Sequence, residues 1–100
     1  MGHDMPVATS VNVLLTHFTP GGTVGECILS SARKHGISDD SIMHAVAIPF
    51  RIVTIEPALV LIIGPDESGQ LLEVIVADPD DDARIVHAMP LRRSFIHYLR

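Results

Sequence analysis

Apolar positions change their period twice along this chain. Val24, Ile28 and Ala32 stand four apart, with Cys27 and Leu29 widening the stripe, and that spacing predicts a helix over 23–35. Thr23-Val24-Gly25-Glu26 matches a capping box at its start. Arg33, Lys34 and His35 fall in its last turn, where cations suit the helix dipole. Gly36 reads as the left-handed stop, and Ile37 as the apolar residue that follows it. Ser38 can cap a second helix whose first turn carries Asp39 and Asp40. Ile42, Ala45 and Val46 give its buried stripe, and Pro49 ends it. The short joint makes the two helices turn sharply and pack as a hairpin.

Past Pro49 the helical period is gone. Residues 50–56 are rich in β-branched types, 58–63 form a continuous apolar run, and 70–77 and 83–88 follow as two more strands. Polar or acidic turns at 64–69 and 78–82 separate them, so consecutive strands pair as an antiparallel meander. Strict alternation in the last strand puts Ile85 and His87 on one side, Arg84 and Val86 on the other. Pro90 suits the first turn of a closing helix with Leu91, Phe95, Tyr98 and Leu99 on its apolar face. The expected fold is α+β: two N-terminal helices, a four-stranded antiparallel meander and a C-terminal helix. The helices cover one sheet face and leave the other partly open. Residues 1–22 end in the breaker cluster Thr19-Pro20-Gly21-Gly22. They form a separate N-terminal segment, open to a short strand at 11–18 or to partial disorder; 23–100 form a single domain.

Composition narrows this further. With 47% hydrophobic but only 4% aromatic residues, the core is aliphatic. The charged share of 19% is below the usual share of about 25%, which suggests apolar surface buried against a partner or a second copy. A single cysteine excludes an internal disulfide and a cysteine-based zinc cage. No run approaches the ~18 apolar residues of a membrane helix, and the start lacks a basic signal region, so the expectation is a cytoplasmic protein with no membrane partner. The formal net charge is −5, but its distribution says more than its sum. Eight of the twelve acids lie between Glu56 and Asp82, a stretch without Lys or Arg. From Ala83 onward there are four arginines, two histidines and no acid. A basic C-terminal face therefore survives in an acidic protein.

Nucleotide-loop, nucleophile-elbow and zinc-protease motifs are all absent. The six histidines, at 3, 17, 35, 44, 87 and 97, do not pair with carboxylates at ligand spacing, so neither a metal site nor a cofactor is expected. The cations and histidines suit another chemistry. Metal-free RNA cleavage needs a group that moves protons at the 2′-hydroxyl and the leaving oxygen, and cations for the phosphate charge. Histidine suits the first role and arginine the second. Arg93, His97 and Arg100 would share one face of the last helix. The same residues have plainer readings: a charged helix end at 33–35, a solvated face at 93–100, a hydrogen-bonded core position for His87, a rim or core position for His44 and a solvated turn at 78–82.

Lys34-His35-Gly36-Ile37-Ser38 resembles the "KHG-[VI]-S" joint of BrnT-type toxins, small ribonucleases of the RelE-like superfamily. Leu61-Ile62-Ile63-Gly64 followed by Leu72-Glu73-Val74-Ile75-Val76 resembles that family's hairpin, and Ile85-Val86-His87-Ala88 leading into 91–100 resembles its last strand and basic closing helix. The family's early Trp-Asp and its helix glutamate have no counterpart here, its strand-to-helix arginine is displaced to Arg92, and the family is usually basic. The resemblance implies the toxin component of a bacterial type II toxin–antitoxin pair, a metal-independent ribonuclease. Its partners would be a cognate antitoxin, RNA and, in an oligomer, a second copy. Lys34 and His35 carry over directly. Together with chemistry and location, this gives a catalytic set of His35, His87 and Arg92 and a phosphate-binding set of Lys34, Arg51, Arg93 and His97. The alternative is a non-catalytic protein–protein interaction module that keeps the fold.

Overall fold

The computed structural model describes residues 27–99. Over them the chain is α+β. Four strands, β1 (Arg51–Glu56), β2 (Leu59–Pro65), β3 (Leu71–Ala77) and β4 (Arg84–Pro90), form one antiparallel sheet in the order β1-β2-β3-β4. This is the expected meander, built where the apolar runs and polar turns put it. The second expected helix is α1 (Asp39–Ala47). The Ser38 hydroxyl accepts from the Ser41 amide at 3.1 Å, Asp39 and Asp40 occupy the first turn, and Ile42, Ala45 and Val46 are buried. Gly36 is left-handed at φ 78°, as its place in the joint requires.

One sheet face packs under α1. Val60, Ile62, Leu72, Val74, Val76, Ile85 and Ala88 cluster there with Ile42, Ala45, Val46, Ile28 and Ala32. Gly64 permits the contact. A Cβ at this position would overlap the Ala45 carbonyl oxygen and stand 3.0 Å from its carbonyl carbon. The helix backbone therefore rests directly on β2.

The expected helix over 23–35 does not run through its described part. Ile28 bridges Ile85 in parallel, Leu29 donates its amide to the Ile85 carbonyl at 3.0 Å, and Ser30–Arg33 is a single 3-10 turn. The backbone at Leu29 hydrogen-bonds to the outer edge of β4, while Ala32 closes a single turn on the Leu29 carbonyl at 2.9 Å. Ile28 and Ala32 are buried all the same. The Thr23 cap and the 1–22 segment lie outside the described residues. In place of a helical hairpin, an ion pair from Arg33 to Asp39 at 2.9 Å spans the joint.

The closing helix is also different. Pro90 is the last residue of β4, opposite Leu72, and Leu91 extends the ladder by donating to the Leu71 carbonyl at 2.9 Å. What remains, Arg93–Leu99, is a 3-10 segment. Its three-residue turn separates Arg93 from His97 around the axis, so the four-residue spacing does not align them. The second sheet face is partly covered: Leu61, Ile63 and Glu73 are fully buried on it, while Ile75 and His87 are half-buried and Arg51 is exposed. The C-terminal segment crosses this face. Arg92 binds Glu73 of β3, and the Tyr98 carbonyl accepts from Arg51 Nε of β1 at 2.9 Å.

Candidate functional site

A single extra residue in β4 sets the geometry of this site. Ile75 pairs with His87 but Val76 pairs with Ile85, so Val86 bulges out of the ladder. Ile85 therefore enters the α1 core, whereas His87 shares the opposite face with Ile75 and Glu73. The expectation that Ile85 and His87 share a side fails for this reason; a bulge re-aims the side chains that follow it. The bulge is also where the N-terminal part of the described chain docks, for Ser31 Oγ donates to the Val86 carbonyl at 2.7 Å.

The re-aimed His87 meets Glu73. Its Nε2 lies 2.8 Å from Glu73 Oε1. Arg92 supplies the rest: its main-chain amide donates to Oε2 at 2.9 Å, Nε lies 3.0 and 3.2 Å from the two oxygens, and Nη2 lies 2.9 Å from Oε1. Glu73 is 0% exposed, whereas the Arg92 side chain is 47% exposed. Burial pushes the Glu73 carboxyl up, but hydrogen bonds from Arg92 and His87 and the Arg92 charge outweigh it, and the net effect holds the group below the usual carboxylate range. It is thus an ionised buried carboxylate with both oxygens satisfied. The Arg92 guanidinium also lies over the Phe95 ring, 4.5 Å from its centroid.

His35 completes the group. It is exposed in the turn before Gly36, and its ring meets that of His87 edge-on, with centroids 5.8 Å apart and planes at 79°. The expected catalytic set of His35, His87 and Arg92 therefore gathers from three separate segments. Lys34 is exposed beside His35.

Of the other residues expected to bind phosphate, Arg51 and His97 are engaged elsewhere. Arg51 belongs to β1, the strand at the opposite end of the sheet order from β4, and its Nε is engaged by Tyr98. His97 donates from Nδ1 to the Ser94 carbonyl at 2.9 Å, and its ring lies 4.1 Å from that of Tyr98. Arg93 is exposed at the start of the 3-10 segment. His44 is a structural histidine, donating from Nδ1 to the Pro65 carbonyl at 2.7 Å. The acidic turn pairs Asp78 with Arg84. Among the described residues no three His, Cys, Asp or Glu side chains gather as a metal-holding group, and no helix is long and apolar enough to cross a membrane.

Glu73 is the member that residue-by-residue reading misses. Its signal is one acid inside the apolar strand Leu71–Ala77, where burial is tolerated only with compensating partners.

No protein-family model, curated protein or solved structure matches this chain.

Proposed function

We propose that this chain is a metal-independent ribonuclease of the toxin kind, the toxic component of a type II toxin–antitoxin pair, with RNA as substrate and a cognate antitoxin as partner. The observation that carries the reading is that His87 and Arg92 meet on one buried carboxylate while the His35 ring stands edge-on beside that of His87. Two imidazoles with adjacent rings can serve one phosphodiester. One takes the proton of the 2′-hydroxyl as that oxygen attacks phosphorus; the other returns a proton to the departing 5′-oxygen. Arg92, with Lys34 beside the site, offsets the charge that builds on the phosphate. Arg93 follows Arg92 in the chain and extends the cationic surface for the flanking backbone. Arg51 and His97 are left to positioning the C-terminal segment or to more distant phosphates.

Inducible expression in a bacterial host, with growth and total RNA followed together, tests the reading. Growth arrest with RNA loss is expected, relieved by His35→Ala. That substitution alters an exposed turn residue and so separates chemistry from folding. Normal growth with intact RNA, at confirmed expression of folded protein, would refute the nuclease assignment.

One observation favours a second reading, the non-catalytic interaction module. Ile48, Phe50, Ile55 and Ile96 are 41–54% exposed. Phe50 and Ile55 lie beside or within β1, and Ile96 lies on the segment tied to β1 through Arg51. In this reading the apolar surface carries self-association. Sedimentation of the wild type against Phe50→Ser distinguishes it: a dimer dispersed by the substitution supports the module, and a monomer at all concentrations removes it.

A further inference from the structure

We infer that Glu73 is a positioning residue that holds neutral His87 as its Nε2–H tautomer, leaving His87 Nδ1 as the nitrogen that exchanges protons with substrate. This deepens the ribonuclease reading and rests on it for the identity of the substrate.

An ionised carboxylate accepts hydrogen bonds and cannot donate them. Glu73 is ionised because Arg92 and His87 lower it against the effect of burial. Its contact with His87 Nε2 at 2.8 Å therefore requires the proton to sit on Nε2, in the neutral ring as in the protonated one. In the neutral ring the second nitrogen is then a bare acceptor. Among the described residues His87 bonds through Nε2 to Glu73, and no described residue competes for the Nδ1 lone pair. The His87 side chain remains 19% exposed, which leaves the ring a path to solvent or ligand. Arg92 divides in the same way: Nε and Nη2 are given to Glu73, no described residue takes Nη1, and the side chain is 47% exposed. One buried carboxylate thus fixes a proton-transfer nitrogen and a cationic donor at once, as a carboxylate orients a catalytic imidazole elsewhere.

The competing role for Glu73 is that of a satisfied core ion pair, and the two roles respond differently to glutamine. In Glu73→Gln the side-chain oxygen at the Oε2 place still accepts from the Arg92 amide and Nε, so the tie to the C-terminal segment persists while the Oε1 acceptor of Nη2 and His87 is lost. Tautomer selection does not persist, because a carboxamide both donates and accepts and carries no charge.

The test is nitrogen-resolved NMR of the His87 ring at alkaline pH, where the imidazole is neutral, on the full chain and on Glu73→Gln. Wild type is expected to show the proton on Nε2 and a bare Nδ1. Glu73→Gln, with an unchanged amide fingerprint, is expected to show mixed tautomers. Its RNA-cleavage kcat should fall by on the order of 10²–10⁴-fold at little-changed KM, with partial recovery in Glu73→Asp. A wild-type ring protonated at Nδ1 would overturn the inference, and that measurement needs no variant to fold. An unaltered tautomer in Glu73→Gln would overturn it equally. If the tautomer behaves as expected and the wild type cleaves no RNA, the ribonuclease reading falls and the positioning of His87 by Glu73 stands.

Discussion

Removing the Arg92 side chain should destabilise the protein far more at pH 7 than at pH 5. Glu73 is fully buried. In Arg92→Ala it keeps His87 and the main-chain amide of residue 92 but loses the contacts from Nε and Nη2. Breaking a buried pair from one side costs about 3–5 kcal/mol while the remaining charge stays ionised. The carboxyl has an alternative, which is to take up a proton. At pH 7 this costs about 3.7 kcal/mol, given a solution value of about 4.3 and about 1.36 kcal/mol per pH unit. That figure limits the part of the loss that comes from the unpaired charge. At pH 5 the same route costs only about 1 kcal/mol. The variant should therefore lose roughly 3–4 kcal/mol at pH 7 and roughly 1 kcal/mol at pH 5, each relative to wild type at the same pH.

Urea denaturation followed by circular dichroism at the two pH values measures both losses. The double variant Glu73→Met/Arg92→Ala should recover most of the stability at pH 7, since no buried charge remains to be compensated. Equal losses at the two pH values would refute the reasoning. So would a loss below about 0.5 kcal/mol at pH 7, the level of an ordinary surface change. Either result would mean that Glu73 does not carry a charge in the folded interior.

Three further outcomes follow from the same structure. The folded-state value of Glu73 lies below its unfolded value, so its contribution is complete above about pH 4.3 and is lost as pH falls through the lower folded value; an acid titration of stability should show that loss in wild type and lack it in Glu73→Met. Gly64→Ala drives a Cβ against the Ala45 and Ile48 carbonyls and should cost about 1–3 kcal/mol, read as a fall in Tm of about 4–8 °C per kcal/mol. Ser38→Ala removes the acceptor for the Ser41 amide and should cost about 1 kcal/mol, measured by the same denaturation.

The legible parts of the fold are those whose stabilisation is local. β2 and β3 are apolar runs bounded by polar turns, and their assignment needs no knowledge of their neighbours. α1 carries its own cap, its own acidic first turn and its own stripe. The misread parts are those where another element claims the backbone. Ile28, Leu29 and Ala32 have helical spacing, yet the β4 edge offers Leu29 an acceptor in the Ile85 carbonyl, and the stripe is buried by that docking. Leu91 has the spacing of a helix residue and instead continues the β3–β4 ladder, which leaves Arg93–Leu99 with two short turns tied down at Glu73 and Arg51. Isolated helices of that length are marginal, so tertiary anchors decide the conformation.

The site is half legible for a related reason. Histidine and arginine announce their chemistry by type, and type and place are enough to nominate His35, His87 and Arg92. What joins them is a bulge and a buried acid, and neither has a local signature. Without the extra residue at Val86, alternation would send His87 to the side of Ile85 and into the α1 core, away from Glu73. Without Glu73, His87 and Arg92 would share a face but have no common partner. The bulge in turn depends on residues 28–31, which bond the Ile85 and Val86 carbonyls. The segment that leads into Lys34 and His35 is therefore the same segment that braces the strand bearing His87. The Lys-His-Gly joint and the β4 histidine form one structural unit, so a substitution that loosens 28–31 from β4 should misplace both imidazoles together.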